Sequence, residues 1–162
     1  VGSYSGKTFF FIPESYKGAY GSIKKPNISE NCSKVELAIT SIDEFVESND
    51  ITKIDLIKID VEGNELDVLK GAIKSIHKFK PIILMEVSDR RTKVYGYKAK
   101  ELCDILLNLK YKLFLPRFQK NKIKLKNFEP KDFISYEDIF AIPIELEYLY
   151  QDFFIIKSAK EK

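Results

Sequence analysis

The sequence is poor in the residues from which many small catalytic and metal centres are built. Its two cysteines, Cys32 and Cys103, lie far apart, and neither belongs to a CxxC or Cys/His ligand pattern. Buried or partly buried reduced thiols are therefore expected, and a structural zinc site is not. A single histidine, His77, excludes a His-rich metal site; at the end of a helical stretch it suits the negative end of the helix dipole. Charge of one sign is also missing. With 27 basic and 24 acidic residues the net charge is +3, which gives no general argument for nucleic acid or an anionic membrane. No run approaches the ~18 to 20 apolar residues of a membrane span, and Val1 opens neither a basic nor an apolar leader region. A soluble cytoplasmic protein with no membrane partner is expected, and a chain opening on Val rather than Met is expected to be part of something longer.

Apolar material is plentiful: 44% of residues are hydrophobic and 13% aromatic, enough to bury a core in one domain. Lys7 to Ile12 is a β-prone run stopped by Pro13, and Gly18 to Asn27 carries the Gly, Pro, Ser and Asn of an irregular connection. Val35 to Thr40 alternates like a half-buried strand, and Ser41 to Glu44 forms a capping box for a short helix through Ser48. Ile54 to Val61 reads as a strand inside a parallel sheet, followed by Leu66, Leu69, Ile73 and Ile76 at helical spacing. Pro81 to Val87 is the next buried strand, so the order is βαβ. Lys98 to Lys110 is an amphipathic helix. Tyr111 to Leu115 and Ile139 to Ile142 look like a closing antiparallel pair, and Glu145 to Ile156 suggests a terminal helix. No internal repeat or long linker divides the chain.

Chemistry is densest where Ile54 to Val61 runs into the following helix. Asp60, Glu62 and Glu65 cluster there, and ligands of open parallel sheets bind at the carboxyl ends of strands. If Asp60 shares a strand face with Leu56 and Lys58, then Ile57, Ile59 and Val61 take the other face. Glu86 stands equally near the end of the next strand, which brings it towards Asp60. Acidic residues in a first helical turn are also favoured by the helix dipole, and Glu65 is read that way. Asp60, Glu62 and Glu86 are the candidate catalytic residues.

The string Ile57-Lys58-Ile59-Asp60-Val61-Glu62-Gly63-Asn64-Glu65-Leu66-Asp67-Val68-Leu69-Lys70-Gly71-Ala72 resembles the central signature of the FkbM-type methyltransferases. Ile42-Asp43-Glu44, Pro81 to Val87 and Asp138-Ile139-Phe140-Ala141-Ile142-Pro143 resemble its flanking elements, so the likeness runs from Lys7 to Pro143. The resemblance implies a Rossmann-like class I α/β fold and methyl transfer from S-adenosylmethionine to a hydroxyl of a sugar or natural product. It places Asp60 beside the transferred methyl, orienting or deprotonating the acceptor, with Glu62 and Glu86 nearby. Such an in-line displacement asks mainly for alignment and partial removal of one proton. A carboxylate serves as that base only where burial raises its pKa.

The family's first strands, with a Gly-rich turn for the cofactor, have no counterpart in the sequence. The expectation is therefore an incomplete sheet, holding the C-terminal strands and the antiparallel closing pair but lacking the N-terminal cofactor-binding strands. Residues 1–143 would form this part of the domain and residues 144–162 a helical tail, with cofactor bound poorly or not at all by the chain alone. Gly2 to Thr8 (GSYSGKT) imitates a phosphate-binding loop but has the wrong glycine spacing and leads into a strand. Arg117, Lys120, Lys122, Lys124 and Lys126 read as an edge strand guarded by charge, with contact to an anionic acceptor as the alternative. Oxygen ligands from Asp60, Glu62 and Glu86 would suit magnesium, but a metal is not favoured. Besides the O-methyltransferase, two readings stay open. One is a non-catalytic module that dimerises or pairs through an exposed sheet edge; the other is a sugar-nucleotide glycosyltransferase.

Overall fold

A computed structural model of the chain describes residues 1–14, 21–24, 31–119, 122–131, 134–146 and 148. Strand β1 (Gly6–Pro13) pairs antiparallel with β2 (Cys32–Ile39) in a separate two-stranded ribbon. Helix α1 (Ile42–Ser48) follows, its Ser41 cap accepting the Glu44 N–H at 3.1 Å. Next come β3 (Leu56–Ile59), α2 (Glu65–Lys70), α3 (Ile73–Phe79), β4 (Ile82–Val87), the single turn α4 (Asp89–Thr92) and α5 (Ala99–Asn108). Strands β5 (Tyr111–Gln119), β6 (Lys122–Asn127) and β7 (Glu137–Pro143) complete a five-stranded sheet in the order β3-β4-β7-β5-β6. Only β3 and β4 are parallel to one another, joined by the expected helical crossover; the β4–β7, β7–β5 and β5–β6 pairs are antiparallel.

The main core lies where α2, α3 and α5 cover one face of this sheet, with Ile59, Leu69, Ile83, Met85, Leu102 and Ile139 all nearly inaccessible. A smaller cluster of Phe114, Leu125 and Ile142 occupies the other face. Burial removes Cys103 from reactivity as well, pushing its thiol up to about 12. No helix among the described residues is long and apolar enough to cross a membrane.

Several elements depart from their sequence pattern. The strand expected inside a parallel sheet is instead the sheet's edge among the described residues, four residues long, with Ile57 and Ile59 buried and Leu56 54% exposed. The continuous apolar run reflects burial of one face only. Strand β2 is not half-buried: Val35 and Leu37 are exposed and Ile39 is covered, because among the described residues its sheet partner is β1 alone. The single helical stretch expected after β3 is broken at Gly71. There the Asp43 carboxylate accepts the Lys74 and Ser75 N–H groups at 3.0 and 2.7 Å, capping α3 from another helix. Lys122 to Asn127 does form the opposite sheet edge, with Lys124 and Lys126 exposed. The irregular connection over Gly18 to Asn27 and the terminal helix over Glu145 to Ile156 fall largely outside the described residues; Ile144–Leu146 is a short 3-10 turn.

Gly71 is where helix α2, the start of α1 and the N-terminal segment meet, and a Cβ there would lie 2.1 Å from the Gly2 carbonyl oxygen. Because that neighbour is backbone, a side chain forces the segments apart. Gly71→Ala is expected to cost about 1 to 3 kcal/mol of unfolding free energy, read from urea denaturation.

Candidate active site

The parallel register aligns Lys58 with Leu84 and Ile59 with Met85, so Asp60 leaves β3 beside Glu86 of β4. On the other side of β4, Glu86 is paired with Asp138 of β7. Three carboxylates thus share one row across three strands, on the face that carries Leu56 and Lys58. Asp60 is 46% exposed and accepts a 3.0 Å hydrogen bond from Lys58 Nζ. Glu86 is different, since only 10% of its side chain is accessible. Burial raises its pKa to about 7, helped by the negative charges of Asp60, Glu65 and Asp138 and opposed by Lys58. Burial, the condition for a proton-accepting carboxylate, is therefore met by Glu86 rather than by Asp60.

The loop after β3 turns sharply through two left-handed residues, Glu62 at φ 56° and Gly63 at φ 101°. A Cβ on Gly63 would come within 2.8 Å of the Arg91 carbonyl and 2.9 Å of the Tyr95 ring, so close approach as well as conformation requires glycine. Glu65, 2% exposed, braces this loop by accepting the Gly63 N–H at 3.0 Å. The Tyr97 hydroxyl lies 2.7 Å from the Gly63 carbonyl and 3.2 Å from Glu65 Oε2, and accepts the Leu66 N–H at 3.3 Å. Burial, reinforced by the Glu65 charge, keeps that phenol protonated. Glu65 is thus a buried brace and not merely a partner of the helix dipole.

Between this loop and the β1–β2 ribbon lies a cavity of about 450 Å3, within the usual range for small-molecule sites. Asp60, Glu62 and Asn64 form its polar wall; Phe10, Ile23 and Leu37 form an apolar wall opposite. The backbone of Gly21 rests on the Phe10 ring, and Ser22 Oγ meets the Tyr95 hydroxyl at 2.7 Å, linking the ribbon side to the segment after β4. Asp60 and Glu62 therefore face the same concavity. Glu86 does not line it but adjoins both through strand pairing and Arg91. The Arg91 guanidinium contacts Glu62 Oε2 through Nη1 and lies 2.5 Å from Glu86 Oε1 through Nε. Glu86 Oε1 has no aligned hydrogen-bond partner among the described residues, so Arg91 acts on it as a nearby charge.

Sequence reasoning missed Arg91 and Asp138. Arg91 stands in the polar stretch Ser88 to Arg91 that follows the Pro81 to Val87 strand, and Asp138 stands within the closing strand. The missing signal was the position of β7 directly beside β4. No group of three or more His, Cys, Asp or Glu among the described residues is arranged to hold a metal, and a guanidinium bridges Glu62 and Glu86.

Residues 2–113 match the family model of the methyltransferase FkbM domain. The matched span holds Asp60, Glu62, Glu86, Arg91 and Tyr97; β7 with Asp138 lies beyond it. No curated protein and no solved structure matches the chain.

Removing the Tyr97 hydroxyl leaves the buried Gly63 carbonyl and Glu65 carboxylate short of a donor. Tyr97→Phe is expected to destabilise the fold by about 1 to 3 kcal/mol in equilibrium denaturation. Glu86 supplies a second test. Its proton is held more tightly in the folded than in the unfolded protein, so its contribution to stability is complete below the ordinary 4.5 and is lost as pH rises through about 7. Denaturation midpoints measured across that window should fall less steeply in Glu86→Gln than in the wild type.

Proposed function

The chain belongs to the FkbM methyltransferase family, and from that premise we propose that it serves methyl transfer from S-adenosylmethionine to a hydroxyl of a sugar or natural-product acceptor at the Asp60 cavity. The observation that carries this reading is the placing of Asp60 and Glu62 together on the wall of a cavity at the carboxyl end of β3.

The residues present suit the cofactor's chemistry. S-adenosylmethionine supplies an electrophilic methyl group on a positively charged sulfur. Asp60 and Glu62 complement that charge, Asn64 and Thr8 offer hydrogen bonds, and Phe10 and Ile23 give the apolar side that a nucleoside or sugar ring needs. Asp60, accessible at the cavity wall, accepts a hydrogen bond from the acceptor hydroxyl and fixes the direction of its lone pair. The hydroxyl proton leaves through Asp60 to Glu86 in the adjoining strand, whose pKa near neutrality lets it hold that proton. Glu65, Tyr97 and Gly63 hold the loop on which Glu62 and Asn64 face the cavity.

A second reading is favoured by one observation: among the described residues β3 is the sheet's edge, and its first residue Leu56 is 54% exposed. A partner strand pairing there would make the chain a binding module. Sedimentation as a monomer at micromolar concentration would count against it.

The experiment for the first reading is transfer of labelled methyl from S-adenosylmethionine by the protein. Asp60→Asn should lower kcat about 100-fold or more while leaving the thermal unfolding midpoint near wild type. Wild-type turnover should climb as pH rises through about 7. Undiminished turnover in Asp60→Asn would remove that residue from the mechanism.

A further inference from the structure

We propose that Arg91 is a positioning residue, joining Glu62 of the cavity wall and Glu86 of the sheet into one charged unit and thereby setting the protonation of Glu86. The proposal rests on the reading of this cavity as the active site, but its test does not need turnover.

Arg91 is held in a fixed place. Its helix α4 is anchored through Asp89, whose N–H donates to the Ile134 carbonyl at 2.8 Å and whose carboxylate accepts the Ala99 and Ile134 N–H groups at 3.0 and 2.5 Å. Ser88 Oγ donates to the Ser135 carbonyl at 2.8 Å, and the Arg91 carbonyl packs against Gly63. The guanidinium is thus delivered from a rigid base, and it is 30% exposed.

The guanidinium is shared between two carboxylates. Two different nitrogens, Nη1 and Nε, address carboxylates on two different elements. A guanidinium spreads its charge over both nitrogens and so lies close to both carboxylates at once, whereas a lysine ammonium acts as a single point charge. Glu62 lies on a left-handed backbone, where its side chain is aimed by the turn, and Arg91 is the cation that meets it.

Glu86 is surrounded mainly by negative charge. It faces Asp60 and Lys58 from β3, Glu65 from α2, Asp138 and Tyr136 from β7 and the residues before it, and Glu62 across Arg91. Negative groups outnumber the two cations, Lys58 and Arg91. Loss of Arg91 therefore leaves the excess larger, and loss of the Glu62 charge leaves Arg91 to Glu86 alone.

The test is a carbon-detected NMR titration of the Glu86 side-chain carboxyl, assigned with Glu86→Gln, in wild type, Arg91→Met, Arg91→Lys and Glu62→Gln. Arg91→Met should raise the titration midpoint by about one pH unit, a tenfold change in proton affinity. Arg91→Lys should recover part of that shift, and Glu62→Gln should move the midpoint down. A purely structural Arg91 would lower the unfolding midpoint of its variants without moving the carboxyl titration. An unmoved midpoint in folded Arg91→Met overturns the proposal; should that variant not fold, an unmoved or raised midpoint in Glu62→Gln does so. Failure to transfer methyl groups would count against the enzymatic reading and leave these titrations unaffected.

Discussion

Parallel pairing of β3 with β4, and antiparallel pairing of β4 with β7, forces Asp60, Glu86 and Asp138 into one row at the end of the sheet. Like charges side by side on neighbouring strands repel, and the middle one is also removed from water. The surrounding structure is organised around that crowding. Lys58 answers Asp60 from the same strand face, Arg91 reaches Glu86 from α4, and Glu86 itself meets the residual strain by holding its proton to near-neutral pH. A row arranged in this way can accept or release one proton at little cost, which is the property that acceptor activation in methyl transfer requires.

The turn out of β3 is held with equal care by a different set of groups. Glu65 is buried and Tyr97 half-buried, and both spend hydrogen bonds on the backbone of Gly63 and Leu66, so the left-handed Glu62–Gly63 step keeps its shape. The acidic residues near the strand end thus divide by environment. Glu65 is consumed by structure, Asp60 and Glu62 face the cavity, and Glu86 sits behind them with a shifted affinity for protons.

Much of this was legible in the sequence. Period-two alternation at Leu56 to Asp60 gave the correct faces, the Ser41 cap began α1 as expected, and the apolar runs marked β4 and the closing pair. The Lys58 to Ala72 string was enough to indicate the family, which the match over residues 2–113 shows. What stayed hidden depends on neighbours distant along the chain. An apolar run does not say whether one or both faces are covered, which is why β3 was placed inside a sheet and β2 half-buried. Helical spacing does not reveal that Asp43 will cap α3 from outside and break the helix at Gly71. Arg91 and Asp138 gain their meaning only from the strand order β3-β4-β7. Glu65 looked like its acidic neighbours until its burial and its hydrogen bonds distinguished it.

The β1–β2 ribbon contributes no described residue to either apolar cluster of the main body, yet it forms the wall of the cavity facing Asp60. Its ties to the body include the hydroxyl pair between Ser22 and Tyr95 at 2.7 Å, Lys24 over the Tyr95 ring at 5.0 Å, and the Gly2 backbone packed against Gly71. The two sides of the cleft therefore belong to different sheets. The carboxylate side is built into the five-stranded sheet, while the aromatic side comes from a ribbon whose own pairing sets its shape. Substitutions that reshape the aromatic wall are thereby separated from the row of acidic groups opposite.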